Sequence, residues 1–507
     1  MRVFRRLGCC AGVLTAIAAA LTLSSGGVTA QAGAPPFPTI MTFERAQAFV
    51  QAAERKLDYV PGEVLVKFKA GVTASGQQRA LDAVRSRPSV SQLRWVGEVA
   101  LLRDQREQNA TILAAQLSAQ PEVEYAEPNY LRHVSRTPTD PGFSARQWNF
   151  TAIDLPSAWD INDGASSSII VAVVDTGVTT VNQSFQARTW NGTAIQTIVV
   201  PFAVNPDLSP DRSRLVTPRD FVFTGTATVM DMVGHGTHVS STIAEDTNNT
   251  LAEAGIAYNA KIMPVKVCFG FWEVQFSISG DGFRGFAPLD AGGCPDEAIA
   301  AGIRYAADNG ANVINLSLGG PGASITVKDA LTYALGKGAF IAVAAGNEFE
   351  EGNPVEYPAG FGPTMDGVMT VGAVGRSLRR SYFSNTGSHV EIAAPGGDFR
   401  DGGLNGLIWQ ATIAASDSDA ETVLFPRFDR YQETPEQGTS MATPHVAGIA
   451  ALIMSQGVTN PAAVEALIKK TARFLGTADP STPNRNKEFG FGLIQPRVAL
   501  RGFGIAK

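Results

Sequence analysis

Residues 169–177 read Ile-Ile-Val-Ala-Val-Val-Asp-Thr-Gly. An unbroken apolar run of strand length, closed by an acid and a glycine, fits a strand covered on both faces, as in a parallel sheet. An acid directly after such a strand lies at the carboxyl edge of the sheet, where α/β folds bind ligands. Taken alone, Asp175 also reads as a simple turn or capping aspartate. Similar runs recur at 262–268, 313–318, 340–345 and 368–374. Helical periods lie between and after them. They are carried by Ile299, Gly302, Ile303 and Ala306, by Val327, Leu331, Ala334 and Leu335, and by Val446, Ile449, Ala450 and Ile453. This alternation predicts an α/β domain with a doubly wound, mostly parallel sheet over residues 140–507.

Upstream the style changes. Val64, Val66 and Phe68 alternate with Leu65, Lys67 and Lys69, a strand period. Residues 75–86 suit a helix, and 93–102 a strand turning near Gly97. Asn109 can cap a helix with Ile112, Leu113 and Leu117 on one side. Val123 and Tyr125 start a last strand. The order predicts a small α+β unit over residues 61–133. A polar, Pro-containing joint at 135–142 marks the boundary, and an exposed joint is easily cut. Residues 31–60 read as a loose leader with one short helix.

Residues 1–30 read as a signal peptide, and so as secretion (extracellular, or periplasmic in transit). Arg2, Arg5 and Arg6 precede an uncharged run from Leu7 to Leu23, and small residues follow at cleavage spacing. A retained membrane anchor is the alternative. No other stretch reaches the ~18 apolar residues that a membrane helix needs, so no membrane contact is expected after signal removal.

Composition narrows the partners. Of 507 residues, 44% are hydrophobic and 17% charged, so a large core can be buried. A net charge of −6 offers no basic footprint for nucleic acid. Protein, sugar or a small molecule is a better substrate than a polyanion. Cys9 and Cys10 would leave with the signal. Cys268 and Cys294 remain, an even pair in an exported chain, and predict a disulfide, with two buried free thiols as the alternative.

Three segments carry candidate chemistry. Asp175 ends the run quoted first. Gly234-His235-Gly236-Thr237-His238 places a proton carrier between glycines that let backbone approach closely. His235 and His238 are not the H-E-x-x-H zinc pattern, because no Glu lies between them. Gly438-Thr439-Ser440-Met441-Ala442 sets a hydroxyl at the start of a long helix, whose N-terminus favours developing negative charge. A capping serine explains Ser440 equally well by itself.

Together, in the order Asp, His, Ser, these segments resemble the subtilisin-like serine peptidases nearly letter for letter. Residues 342–348 (Ala-Val-Ala-Ala-Gly-Asn-Glu), 314–320 and 489–493 add further matches. The resemblance covers about 140–502, and 61–133 resembles the family's inhibitory, chaperoning propeptide.

The resemblance implies a self-processed precursor of an endopeptidase acting on polypeptides, a monomer needing no cofactor for the chemistry. It implies Asp175, His235 and Ser440 as catalytic triad. Asn347 and the Ser440 N–H would form the oxyanion hole, and Ser317, Leu318 and Gly319 would pair with substrate. Asp246 and Asn249 fall in a stretch similar to the family's calcium loop, so structural Ca²⁺ is an expectation. The family's partner aspartate is replaced by Ser184, with Asp207 as a candidate substitute. The resemblance also implies a cis bond at Tyr357-Pro358, and His238 reads as structural because only one base is needed.

Three stretches exceed the compact members: 183–219, 269–293 and 397–432. The second carries Phe269, Phe271, Trp272, Phe276, Phe283 and Phe286, which either shape apolar subsites or pack on the protein body. Glu356 falls where the family has the floor of its primary specificity pocket, which would favour Lys or Arg before the cut. An exposed loop glutamate is the alternative.

Overall fold

A computed structural model describes residues 41–55, 57–84, 87–104, 106, 109–131, 137–223, 226–414 and 426–501. The signal-like segment, Cys9, Cys10, most of the 135–142 joint's start and part of the 397–432 stretch lie outside the described residues. The chain divides into two compact units, 1–129 and 130–507.

The first unit contains strands β1 (Tyr59–Phe68), β2 (Arg94–Val96), β3 (Val99–Arg103) and β4 (Val123–Tyr130), in the sheet order β2-β3-β1-β4. Helices Ala74–Leu81 and Ala110–Ser118 complete a β-α-β-β-α-β, ferredoxin-like arrangement. Gly97, at φ +62°, turns β2 into β3, with Val96 opposite Val99. Asn109 caps as expected, its side-chain oxygen accepting from the Thr111 N–H at 3.1 Å. The buried side of that helix is Ala110, Leu113, Ala114 and Leu117, whereas Ile112 is 45% exposed. Ile112 sits about 100° around the helix from Leu113, so it leaves the face that the others share. The leader is less loose than expected. Helix Phe43–Glu54 is tied to β1, with Arg45 Nε 3.3 Å from a Glu63 carboxylate oxygen.

The second unit is built on seven parallel strands. They are β5 (Ile170–Asp175), β8 (Arg219–Asp220), β9 (Lys261–Lys266), β10 (Val313–Leu316), β11 (Phe340–Ala344), β12 (Val368–Val374) and β13 (Ile392–Pro395). Their order is β13-β12-β11-β10-β5-β9-β8. Alternate residues of β5 enter different cores. Val171 and Val173 join Val239, Ile243, Val446 and Ile449 on one face. Ala172 and Val174 join Ile299, Ile303, Leu331 and Ala334 on the other. Covering both faces is what the continuous apolar runs require. The order reverses at β5, since β8 and β9 lie on one side of it and the later β10 to β13 on the other. The carboxyl ends of β5 and β10 therefore flank a switch point, the favoured place for a ligand site.

The three long stretches fold as structured additions. They contain a hairpin, β6 (Gln183–Trp190) with β7 (Ile195–Phe202), a helix Phe271–Gly280, and a second hairpin, β14 (Ile408–Ile413) with β15 (Tyr431–Glu436). All three contribute to one satellite core of Val200, Phe202, Ile413 and Phe428, against which Trp272, Phe276, Met230 and Met232 pack. For Trp272 and Phe276 the packing alternative holds. Phe283 and Phe286 are 56% and 46% exposed. The Cys268–Cys294 disulfide is formed and closes the base of the middle addition, where Phe269 and Gly293 also pair. Among the described residues no helix is long and apolar enough to cross a membrane.

Candidate active site

Asp175 is the last residue of β5 and its side chain is buried. One carboxylate oxygen accepts from the Thr176 N–H at 2.6 Å and lies 2.8 Å from His235 Nδ1. The Asp175 carbonyl accepts from the Val267 and Cys268 N–H groups, at 2.8 and 3.1 Å. The strand end is thus fixed from both sides, and the aspartate with it.

His235 is the first residue of helix His235–Ala244. Gly236 lets that helix approach the strand end, its N–H reaching Thr176 Oγ1 at 2.8 Å. Sequence reading missed the residue that holds the start of this helix, Asp231. Its buried carboxylate accepts from the N–H groups of Val233, Gly234 and Thr237 at 3.0, 2.9 and 3.1 Å. An acid four residues before the histidine, ahead of a helix start, was the available signal. Burial alone would lower the basicity of His235, but the adjacent Asp175 charge and hydrogen bond outweigh it and raise the imidazole to about 9. The ring's side-chain exposure of 28% lets solvent screen that attraction. With Nδ1 held by the carboxylate, Nε2 is the nitrogen left to accept a proton.

Ser440 is the second residue of helix Thr439–Ser455, whose N-cap is Gly438. The capping reading of Ser440 therefore fails. Its hydroxyl donates to the Ser317 carbonyl at 3.2 Å, and the Ser317 hydroxyl donates to the Ser440 carbonyl at 2.8 Å. Catalytic hydrogen bonds are often long or misdirected until substrate arrives.

The first-turn amides of this helix have different fates. The Thr439 N–H donates to Asn347 Oδ1 at 2.8 Å, and Met441 and Ala442 donate to the Gly438 carbonyl. Among the described residues that leaves the Ser440 N–H as the open donor of the turn. Because Asn347 Oδ1 is occupied, its Nδ2 is the end turned outward. A Cβ placed on Gly438 would lie 3.5 Å from Ser440 N and 3.7 Å from Asn347 Nδ2, so both donors border one small volume. Two such donors can stabilise an oxyanion.

Ser317, Leu318 and Gly319 leave the carboxyl end of β10, and Gly319 is exposed. Tyr357-Pro358 is cis. His238 is fully buried, its Nε2 within 3.2 Å of the Ile408 carbonyl and 3.1 Å of the Thr434 carbonyl. Burial holds it below the ordinary histidine range, so it stays neutral and ties the β14–β15 hairpin to the His235 helix. Glu356 is only 9% exposed, against the alternative of an exposed loop glutamate.

The calcium-like loop is rearranged relative to expectation. Asp246 is ion-paired with Arg214. Asp207 takes the place beside Asn249, whose side-chain amide bonds its carboxylate, and the Asp246 N–H donates to the Asp207 carbonyl at 2.8 Å. Asp140 accepts from the Asn248 and Asn249 N–H groups at 2.8 and 3.2 Å. The second Asp207 oxygen is buried with no partner. Burial lifts this carboxyl to about 7; the Asn249 hydrogen bond opposes the rise, and the charges of Asp246 and Asp140 add to it. Among the described residues no three His, Cys, Asp or Glu side chains converge at ligand distance. The orphaned oxygen nevertheless fits a cation held by Asp207, Asn249 and loop carbonyls, the oxygen-rich set that calcium prefers.

The subtilase family profile matches residues 166–492, and that of the fervidolysin N-terminal prodomain matches 45–129. The chain is 32% identical over 430 residues to a thermophilic serine proteinase of Bacillus sp. strain AK1, covering 84% of this chain and 86% of that one. It is 34% identical over 337 residues to thermitase of Thermoactinomyces vulgaris, covering 66% and 91%. A solved protease structure from Pseudoalteromonas arctica superposes with a TM-score of 0.53 at 28% identity, covering 72% of this chain and 99% of that one. The chain belongs to the subtilase family, as a serine-type endopeptidase carrying an N-terminal prodomain.

Proposed function

We propose that the chain is the precursor of a secreted endopeptidase in which Ser440, His235 and Asp175 form the catalytic triad. The observation that carries this is the 2.8 Å contact between His235 and Asp175 at the switch point, with Ser440 and two open donors at the adjoining helix start.

In this reading His235 Nε2 takes the Ser440 proton as Oγ attacks the scissile carbonyl. The oxyanion that forms is stabilised by Asn347 Nδ2 and the Ser440 N–H. His235 then passes the proton to the leaving amine, and the acyl-enzyme is released by water activated in the same way. Asp175 holds the imidazole orientation and stabilises its cation. Ser317–Gly319 adds the substrate as an extended strand, which suits unfolded or exposed segments of proteins.

Residues 1–30 direct export, 61–133 form the core of the propeptide together with the 43–54 helix, and 140–507 form the peptidase. Cleavage between about 130 and 140 separates them. The mature enzyme is a monomer without membrane contact.

Casein hydrolysis together with covalent uptake of a serine-directed phosphonate at Ser440 tests the assignment. Phosphonate uptake without casein cleavage would make the site an esterase, and no uptake would make it a binding protein on the same fold.

Asn347→Leu keeps the side-chain volume but removes the donor. It is expected to lower kcat by about 10²–10³-fold with KM little changed. Equal activity in the variant would take Asn347 out of the oxyanion hole.

Calcium, when bound, would supply structure and charge compensation at Asp207, not chemistry. Added Ca²⁺ at about 100 times its Kd is expected to stabilise the protein by about 2.7 kcal/mol, read as a rise in Tm. Asp207→Asn should abolish that rise. An identical Tm with calcium and with chelator would remove the ion from the account.

A further inference from the structure

A buried ion pair beside the triad has no part in the steps above. Lys266 is the last residue of β9 and lies opposite Asp175 in the sheet register. Its side chain is 1% exposed, and so is that of Glu273, whose carboxylate accepts from Lys266 Nζ at 3.0 Å. Glu273 stands in the first turn of helix Phe271–Gly280, inside the disulfide-closed addition. Its other oxygen accepts from the Gly270 N–H at 3.1 Å.

Stability does not account for this pair. Taking two charges out of water costs about as much as their attraction returns, and apolar side chains of similar volume often serve a core equally well or better. What an apolar side chain could not supply is the second hydrogen bond of the ammonium. Lys266 Nζ also donates to the Thr176 carbonyl at 2.7 Å.

Thr176 is the joint between the acid and the base. Its N–H donates to Asp175 Oδ1 at 2.6 Å, and its hydroxyl oxygen accepts the Gly236 N–H at 2.8 Å, at the start of the His235 helix. The lysine takes up the remaining backbone polar group of that residue. The next residue, Gly177, has a φ of +106°. The crossing with Gly236 is tight there, since a Cβ on Gly236 would lie 2.8 Å from Gly177 N and 3.0 Å from Thr176 Oγ1. A glycine that allows such an approach is also free to rotate. The lysine restrains it: a Cβ on Gly177 would lie 3.4 and 3.6 Å from Lys266 Cβ and Cδ, so the stem runs along the turn and its ammonium pins the 176–177 peptide.

We propose that Lys266 is a positioning residue of the triad. Through Thr176 it holds the Asp175 carboxylate in place against His235, and Glu273 is the counter-ion, carried by the added helix, that lets a cation be buried there. This rests on the reading of Asp175, His235 and Ser440 as the catalytic triad. Lys266 acts only through Thr176 and touches neither substrate nor the reacting atoms.

The test replaces the pair as a unit. Lys266→Met with Glu273→Met removes one positive and one negative charge, so the net charge around His235 is unchanged. Asp175, Asp231 and Glu436, whose charges raise its imidazole, all remain. The secreted, self-processed proteins are compared by phosphonate titration, by Tm, and by peptide p-nitroanilide hydrolysis per titrated site across pH. The double variant should keep a Tm close to that of the wild type. Its kcat should fall by about 10–100-fold with KM little changed, the effect of a displaced catalytic group. Its acid limb should lie at lower pH, because a looser contact with Asp175 raises the imidazole less. A site slowed by about a hundredfold still cuts its own link, since that cut is needed once per chain. Glu273→Gln acts in the opposite sense. It keeps the donor on Thr176 but leaves the lysine without its counter-ion, so it should lower Tm more than the double variant does and kcat less.

A wild-type kcat and acid limb in the double variant, or losses of kcat that follow Tm in both proteins, overturn the positioning role and leave the triad reading standing. So does a double variant that yields no titratable site, because the pair would then be holding the fold. A wild-type protein that neither takes up phosphonate nor cuts the peptide overturns both.

Discussion

Ser440→Ala is expected to lower kcat by about 10⁶-fold, the scale seen when a subtilisin loses its triad serine. It should also leave the secreted chain as an uncut precursor. Both follow from the same site. The serine lies at the start of a helix, with its own N–H open and Asn347 Nδ2 bordering the same volume. Removing the hydroxyl deletes the attacking atom but keeps those donors, so a residual rate above that in water survives. Self-processing needs the same attack on the link between the two units, near 130–140. Gel mass and N-terminal sequencing of the secreted protein read it directly. A variant that still matures to the wild-type N-terminus would show that another protease performs the cut. A variant that also retains casein hydrolysis would remove Ser440 from the chemistry.

Asp175→Asn is expected to cost about 10⁴-fold in kcat, or about 5 kcal/mol of transition-state stabilisation. The fold should survive, because the Val267 and Cys268 N–H groups bond the backbone carbonyl of residue 175 and not its side chain. An asparagine amide would donate to His235 Nδ1, leaving the proton of the neutral ring on Nε2, where it blocks acceptance from Ser440. The pH profile should move as well. Asp175 raises the His235 imidazole in the wild type, and activity needs the neutral ring. The acid limb of kcat/KM should therefore lie above the ordinary histidine range in the wild type. It should shift to lower pH in the variant, as the plateau drops. Peptide p-nitroanilide hydrolysis across pH measures both. An acid limb that stays in place would mean that His235 is not the titrating group.

Much of this site was legible in the sequence because its parts are local. The β5 run ending in Asp175 specified a strand, its two covered faces and its carboxyl edge together. The glycines around His235 and before Ser440 marked close approach and a helix start. What was not legible depends on residues brought together from afar. Asp207 reaches Asn249 only through the tertiary fold. Glu356 comes to lie against Glu348 because Gly320 pairs with Tyr357, which no local pattern announces. Phe271, Trp272 and Phe276 gave a composition but no fate. Their helix packs on residues from both added hairpins, so its buried side was set by partners outside its own segment. Ile112 was misassigned for a simpler reason: neighbouring apolar residues on a helix do not share a face.

The additions also bear on how this enzyme could be re-engineered. The disulfide-closed addition begins at the N–H groups that bind the Asp175 carbonyl. The β14–β15 hairpin is bonded through Thr412 to the Gly234 carbonyl and through its backbone to His238, and it runs almost directly into Ser440. Two of the additions are thus rooted at Asp175, His235 and Ser440, and one shared core joins them to the β6–β7 hairpin. Exchanging either rooted addition for a shorter loop from a compact relative would loosen a brace on the chemistry itself, and exchanging the β6–β7 hairpin would open the core that both share. The three would have to be grafted as a set.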